Sequence, residues 1–515
     1  MADIISRAAP AGQPLSEAGQ SRFEASQPLF EAGEAASVVG GSSYGALRAR
    51  IFSVTTDSRS AGAGSLFVAL RGERSDGHDF IGAALASGAV CVFAETARAE
   101  SARAAFNAAG RKESSCLVLV DSTLKALQDL AREHRRRMGS LFRIGVTGSS
   151  GKTTTKECVA AILRESAGSD AVAVNPGNLN SDVGLPLSLF GVGPGHRLGV
   201  FEMGMNRIGE MNELARVYEP DLAVITNVGS AHIGIIGSRD GIAAEKKAVF
   251  SRFDGRQTGL VWDEDDYRGY LKEGVRGKMV EFGAKTTSGL EGWSDSGLDG
   301  WRIAWKGAEI RFPLVGRHNL IDAFAALSVA DLLGIAPESA ARGLSAVRPL
   351  FGRSEILRGR ITMLRDCYNS NPDSAAQSIS FCDEVVWPGR RVYVLGSMLE
   401  LGETSIAEHR ALGMKAAASK ADALFFFGEE SRQAFDAALS AGFKGLLRHF
   451  DSIEALRDET LGYLRSGDLL LLKASRGLAL ERLADAVEAA GLCAAGTTVK
   501  GEKTESGKGG STHAS

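Results

Sequence analysis

The sequence predicts an α/β protein of three domains, the middle one a parallel, doubly wound sheet carrying a phosphate-binding loop. Three observations predict it. The chain has 515 residues, and soluble domains run to about 150 residues each. Short apolar runs of strand character alternate with helical stretches, the pattern of parallel sheets linked by crossover helices. One such strand runs straight into a glycine loop and a helix, "RIGVTGSSGKTTTKE" at 143–157, the context in which nucleotide folds hold phosphate.

Composition narrows the function classes. Hydrophobic residues make up 44% and charged residues 23%, ordinary for soluble globular chains. A formal net charge of -3 gives no general attraction to nucleic acid or acidic membranes, so an anionic ligand needs a local site. The six cysteines have no paired short spacing and read as reduced, mostly buried thiols, with neither a zinc site nor a disulfide framework. No apolar run approaches the roughly 20 residues that span a bilayer, and the N-terminus lacks an apolar signal core. A cytoplasmic protein without stable membrane insertion or a nucleic-acid partner is expected.

Residues 1–24, rich in Ala, Gly, Ser, Gln and Pro, read as a flexible arm, and the polar Gly/Ser/Lys-rich 494–515 as a disordered tail. Residues 25–138 form a first domain with strands at "SLFVAL" and "GAVCVFAE". It closes in a charged helix, whose "REHRRR" reads as a solvated helix end before a boundary. Residues 139–350 form the central domain, with strands at "LFRIGVTG", "RLGVFEMG" and "DLAVITNVG", and an antiparallel excursion at "TSGLEGWSDSGLDGWRIAWKGAEIRFPL". Residues 351–493 alternate strand and helix again, through "RVYVLGSM", "ADALFFFGE", "GLLRHF" and "GDLLLLKASRG".

The strict phosphate-loop pattern places a glycine five positions before Gly151-Lys152, where this chain has Val146. The loop Thr147-Gly148-Ser149-Ser150-Gly151-Lys152-Thr153 nevertheless sits between strand and helix. Backbone N–H groups there converge on an anion, Lys152 reaches the outer phosphates and the Thr153 hydroxyl reaches Mg²⁺. Glu202 follows an apolar strand, where a carboxylate can hold Mg²⁺. Asn227 and His232 lie beyond another strand, and His232 can ligate a metal or orient a carboxylate. In "GIAAEKKAVF", Lys246 and Lys247 read locally as a solvated helix face. His318, Asn319, Arg353, Asp366, Asn369, Lys473 and Arg476 stand beside apolar elements, and an arginine there can stabilise phosphoryl charge.

In this order, "VTTDSR", "SLFVALRGERSDGHDFI", "TGSSGKT", "NLNSDVGLPLSL", "EMGMNRIGEM", "NVGSAH", "GRHN", "YNSNP" and "LGSMLELGETSIAEH" resemble the Mur ligase family, over about residues 27–493. The resemblance implies the three-domain Mur ligase architecture, with a central P-loop domain, an N-terminal UDP-substrate domain and a C-terminal Rossmann-like domain. It implies an ATP-dependent ligase in which two Mg²⁺ ions and a carbamylated lysine assist. Thr147, Gly148, Ser149, Ser150, Gly151, Lys152, Thr153 and Thr154, with Asn319, Arg353 and Asp366, would hold ATP. Thr153, Glu202, His232 and Lys246 as a carbamate would hold metal, and Lys152, Lys246, His232 and Arg353 would be catalytic. Ser58, Arg59, Asn180, Asp182, Tyr368, Asn369 and Asn371 would meet substrate. The carbamate on Lys246 comes from the resemblance alone, against the local reading.

The segments "GHDF" and "YNSNP", with "LGSMLELGETSIAEH" in the third domain, favour the member that joins D-alanyl-D-alanine to UDP-N-acetylmuramoyl-tripeptide, acting as a monomer. ATP would phosphorylate the tripeptide's terminal carboxylate and the dipeptide amine would attack the acyl phosphate. A sister ligase adding a diamino acid, a folylpolyglutamate synthase and a non-catalytic P-loop switch stay open, although the Asn-Lys-x-Asp guanine signature is missing. The chain departs from the family pattern at Gly396-Ser397-Met398, where the family has Gly-Asp-Met, at "NVGSAH" and at "YNSNP" followed by Asp373. No residue marks itself as the base for the amine.

Overall fold

The computed structural model describes residues 27–72 and 75–494. The reading of residues 1–24 as an arm, and that of 494–515 as a tail apart from residue 494, lie outside the described residues. The chain divides into two compact units. The first takes the chain up to Val228, Arg239–Gly289 and Asp322–Gly343, and the second takes Gly229–Ser238, Leu290–Ile321 and the chain from Leu344 onward.

In the first unit, β1 (Phe30–Glu31) pairs antiparallel with β3 (Arg50–Ile51). A five-stranded sheet follows in the order β2 (Ser42–Gly45), β7 (Cys116–Val120), β6 (Cys91–Glu95), β5 (Ser65–Val68), β4 (Ser53–Thr55), parallel except for β2. Strands covered on both faces must be apolar at every position rather than alternately. "CLVLV" in β7 shows this. Cys116, Val118 and Val120 pack with Phe30, Phe93 and Leu127 on one face, while Leu117 and Leu119 pack with Phe67, Leu85 and Phe106 on the other. The charged helix α1 (Thr123–Arg137) covers the first face, with Ser122 capping its start through the Lys125 amide.

The same unit holds a six-stranded, wholly parallel sheet: β13 (Lys278–Phe282), β12 (Thr258–Trp262), β11 (Leu222–Ile225), β8 (Phe142–Thr147), β10 (Leu198–Glu202), β9 (Val172–Val174). The chain leaves β8 towards β9 on one side and later returns to β11 on the other. The topological switch point therefore falls at β8, where open α/β sheets hold ligands beyond their carboxyl ends. Register sets Glu202 beside Val146 and Ile225 beside Thr147. The carboxyl ends of β10, β8 and β11 are thus level.

The second unit contains an antiparallel meander of β14 (Leu290–Asp295), β15 (Trp301–Trp305) and β16 (Ala308–Phe312). Its larger sheet runs β17 (Glu355–Arg358), β18 (Thr362–Asp366), β22 (Leu469–Lys473), β19 (Arg391–Gly396), β20 (Ala423–Phe427), β21 (Leu446–Phe450), with only β17 antiparallel. The run "LLLL" of β22 is buried on both sides, Leu470 and Leu472 facing one core and Leu469 and Leu471 the other. Among the described residues no helix is long and apolar enough to cross a membrane.

Candidate active site

The loop after β8 leads into α2 (Lys152–Ala167). Val146 is inside the strand, in register with Glu202, so the turn is framed by Gly148 and Gly151 instead. Both take positive φ, 153° and 79°. A Cβ on Gly148 would lie 1.8 Å from Thr226 Oγ1, and one on Gly151 would lie 2.3 Å from Asp322 Oδ1. Only glycine combines that backbone with that closeness. The first-turn amides of α2, from Lys152 to Thr154, have no intrahelical acceptors and face outward at the positive end of a 16-residue helix. That is an anion cradle.

The loop is fastened from the neighbouring strand. Ser149 N–H donates to the Asn227 carbonyl at 3.0 Å, Ser150 N–H to Asn227 Oδ1 at 3.1 Å, and the Thr226 hydroxyl to the Ser150 carbonyl at 2.5 Å. From the other side Asp322 accepts the Thr155 hydroxyl at 2.9 Å. Lys152 folds its ammonium back onto the Gly148 carbonyl, 2.9 Å away.

Glu202, 2% exposed, is held on every side. Its Oε2 accepts the Thr153 hydroxyl at 2.7 Å and its Oε1 the Asn180 amide at 2.6 Å. Buried Asn175 brackets its backbone, receiving Glu202 N–H and donating to its carbonyl. The structure thus brings Lys152, Thr153, Asn180 and Glu202 together. Asn227, which the sequence reading had singled out beyond its strand, supports them together with Asn175, Thr226 and Asp322, three residues to which that reading gave no part. Asn175 stands at the end of a short strand, the only signal that could have flagged it. Asp182 pairs with Arg207 at 2.9 Å, two residues beyond Asn180.

The two lysines of α3 (Arg239–Lys247) part company. Lys247 lies over the Tyr270 ring, 4.2 Å from its centroid. Lys246 is 1% exposed, so the solvated helix face does not hold for it. Burial, reinforced by the positive charge of Lys152, pushes its pKa well below the ordinary lysine value. The preceding Glu245 accepts the amides of Gly209 and Met211 at 2.9 and 2.8 Å, anchoring the helix that carries Lys246. Asp265 accepts the Val228 and Tyr267 amides, and burial raises its pKa. In the N-terminal sheet domain, Ser58 and Arg59 occupy a turn capped by Asp57, onto which the exposed Arg59 forks at 2.7 and 3.0 Å.

The remaining sequence-picked residues lie in the second unit. His232, at φ 66°, stands 3.1 Å from Glu400 Oε2, and this pairing lowers the Glu400 pKa. Asp366 ends β18 with both oxygens engaged. Ser354 N–H donates to Oδ1 at 3.0 Å, while the Ser378 hydroxyl and Lys473 ammonium donate to Oδ2 at 2.6 and 2.7 Å. Asn319 donates to the Val315 carbonyl at 2.6 Å. His318 is half-buried, and desolvation of its ring pushes its pKa down to about 4 and leaves the imidazole neutral. Arg353 lies over the Tyr368 ring at 4.2 Å. Asn369 gives its carbonyl to Lys473, and Asn371 caps the helix Pro372–Glu384 through Ser374 N–H. Ser397, where the family has Asp, accepts the Ser431 amide at 3.0 Å. It is fully buried, and a carboxylate there would be desolvated.

Compared with known proteins, residues 50–135 match the Mur ligase family catalytic domain, 146–330 the Mur ligase middle domain and 352–476 the Mur ligase glutamate ligase domain. A UDP-N-acetylmuramoyl-tripeptide–D-alanyl-D-alanine ligase of Treponema pallidum (strain Nichols) is 42% identical over 450 residues, 87% of this chain and 96% of the relative. The chain belongs to the Mur ligase family. It has the three-domain architecture of that family, with a central P-loop sheet and a Rossmann-like C-terminal domain. MurF from Acinetobacter baumannii matches this Mur ligase at a TM-score of 0.78 and 27% identity, covering 89% of this chain and 99% of its own. MurF from Thermotoga maritima, solved in complex with ADP, matches at 0.70 and 28%, covering 85% and 97%.

Proposed function

We propose that this Mur ligase joins D-alanyl-D-alanine to UDP-N-acetylmuramoyl-tripeptide, driven by ATP, to give the UDP-muramoyl-pentapeptide precursor of peptidoglycan. The observation that carries the reading is the 42% identity with a ligase of that name across 96% of its length. The nucleotide loop agrees with it, and ADP in the Thermotoga relative supports ATP as the nucleotide. Cytoplasmic ATP and UDP-linked sugars place the reaction in the cytoplasm.

A carboxylate in water does not react with an amine until its oxygen becomes a leaving group. The α2 amides and Lys152 hold the triphosphate, and swinging the ammonium off the Gly148 carbonyl onto the outer phosphates offsets charge that grows in transfer. The γ-phosphoryl passes to the tripeptide carboxylate, giving an acyl phosphate and ADP. The dipeptide amine then attacks the acyl carbon, the C–N bond forms, and inorganic phosphate leaves.

The residues present fit Mg²⁺. Among the described residues no group of three or more His, Cys, Asp and Glu gathers as a metal cage. Mg²⁺ is commonly held by one or two carboxylates plus substrate phosphates, and the Thr153 hydroxyl beside buried Glu202 offers that donor set. Bound there, the ion would lower repulsion between triphosphate and carboxylate. A second ion would take Lys246 as a carbamate. Carbamate formation needs an unprotonated amine to attack CO₂ and release a proton, and burial beside Lys152 favours that amine.

The test is ATP-dependent phosphate release with UDP-N-acetylmuramoyl-tripeptide and a panel of amines. D-Alanyl-D-alanine should support turnover, while D-alanine, glutamate and diamino acids should not. Turnover with a diamino acid on the dipeptide precursor, or with glutamate on a folate, would replace the reading with a sister ligase. No turnover with any acceptor would leave a nucleotide switch.

A further inference from the structure

Glu210 is a carboxylate, 2% exposed, that the chemistry above does not use. It opens the helix Glu210–Tyr218, one residue after Gly209, whose φ of 85° marks the turn into that helix. Its two oxygens reach two different loops. Oε1 accepts the Asp182 amide at 3.0 Å and Oε2 the Asn206 amide at 2.6 Å. The first loop follows β9 and carries Asn180, and the second leaves β10 just after Glu202.

The same loops meet two residues earlier in each, where the Gly204 amide donates to the Asn180 carbonyl at 2.8 Å. A Cβ on Gly204 would stand 2.9 Å from the Asn180 side chain, so the approach is close as well as bonded. At the next step Asp182 and Asn206 both present N–H groups, and two donors cannot bond each other. One carboxylate answers both. The position therefore requires an acid. A glutamine would turn its NH₂ towards one of the two amides and leave that donor without an acceptor. Glu202 is under no such constraint, because its partner Thr153 can reverse its hydroxyl.

This brace bears on the metal carboxylate. Asn180 donates through Nδ2 to Glu202 Oε1 at 2.6 Å, while Oε2 faces Thr153. A hydrogen bond to a metal-binding carboxylate fixes its orientation. The brace is itself anchored, since Glu245 accepts the Gly209 and Met211 amides at 2.9 and 2.8 Å and negative charge is favoured at a helix N-terminus. We propose that Glu210 is a positioning residue for the reaction. By clamping the Asn180 and Asn206 loops together it holds Asn180 against Glu202 and so orients the carboxylate that takes Mg²⁺. The assignment rests on the ligase reading and on Glu202 as the metal carboxylate.

The test measures ADP binding to the full chain by calorimetry, with and without Mg²⁺, alongside phosphate release. In wild type Mg²⁺ should strengthen ADP binding, and Glu202→Gln should erase that gain. Glu210→Gln should lose most of it while metal-free ADP affinity stays within twofold. Its kcat should fall about 10- to 100-fold, the usual cost of losing a group that orients a metal ligand. Glu210→Asp, which keeps two acceptors on a shorter stem, should recover part of both. Glu213→Gln removes the same charge from the same helix, where it pairs with Arg207 instead of loop amides, and should match wild type. In an Asn180→Ala background, where the brace has nothing left to position, adding Glu210→Gln should change kcat less than twofold. An unchanged Mg²⁺ gain in Glu210→Gln, an equal loss of metal-free affinity, or full multiplication of the two effects in the double variant overturns the assignment. A retained Mg²⁺ gain in Glu202→Gln overturns the metal reading instead, and this one with it. Failure of wild type to use D-alanyl-D-alanine overturns the ligase reading. Melting temperatures within a few degrees of wild type show that the variants remain folded, and Glu210→Asp carries the same comparison where Glu210→Gln does not fold.

Discussion

Glu202→Gln separates charge from architecture at the centre of the site. Both hydrogen bonds of the carboxylate can survive the change: the glutamine oxygen still accepts the Asn180 amide, and its NH₂ can donate to the Thr153 hydroxyl that now donates to it. Two charge-assisted bonds of about 1.5–3 kcal/mol each become two neutral ones of about 0.5–1.5. The loss, about 2 kcal/mol, is offset by removing the desolvation cost of a carboxylate that is 2% exposed. Net stability should change by about 1 kcal/mol or less, a shift of roughly 2–4 °C in melting temperature for a domain of this size. Metal binding has no such compensation, because a neutral amide is a poor partner for Mg²⁺. Losing several kcal/mol of charge stabilisation predicts a fall of about 10²–10³ in kcat/KM and a raised Mg²⁺ requirement. Phosphate release across a Mg²⁺ titration, with a thermal melt of the same preparations, measures both. Near-wild-type turnover at unchanged Mg²⁺ dependence would refute the metal role, and a collapsed melt would show Glu202 to be structural.

Further outcomes follow from neighbouring residues. Lys246→Ala should abolish phosphate release and recover part of it with added short carboxylates, whereas Lys247→Ala, which removes only the cation over Tyr270, should retain most activity; full activity of unrescued Lys246→Ala would end the carbamate reading. Gly151→Ala forces a Cβ onto φ 79° and against Asp322, which should cost about 2–3 kcal/mol and weaken nucleotide binding, read by melting and ATP-analogue titration. His318, with its folded pKa near 4 below an unfolded value of about 6.5, binds fewer protons folded than unfolded. Its full stability is thus present above pH 6.5 and is lost as pH falls towards 4, by about 3 kcal/mol; urea unfolding from pH 7 to 4 should show a shallower decline in His318→Gln, and parallel curves would refute the assignment.

The strands, the glycine loop and its Lys152-Thr153 pair could be read directly from sequence, because apolar runs, glycine spacing and a helix start are properties of neighbouring residues. Glu202 could be read as a strand-end carboxylate. Its partners could not: Thr153 is 49 residues away along the chain, and nothing in "NPGNLN" announces that Asn175 and Asn180 both close on it. Asn371 and Asp366 show the converse limit. Their motif placed them near chemistry, while in the fold Asn371 caps a helix and Asp366 spends both oxygens on protein donors.

Lys246 marks the boundary most sharply. Its neighbours in "AAEKKAVF" describe a polar helix face, and two adjacent lysines look alike in one dimension. By itself the sequence determined the α/β alternation and the phosphate loop, since backbone period and glycine freedom act over a few residues. Only the tertiary structure decided which lysine is buried beside Lys152, and that Asp322, 167 residues beyond its partner Thr155, closes against Gly151. Burial and charge proximity are properties of the packed chain, and these, more than residue type, set the protonation and reach of each group.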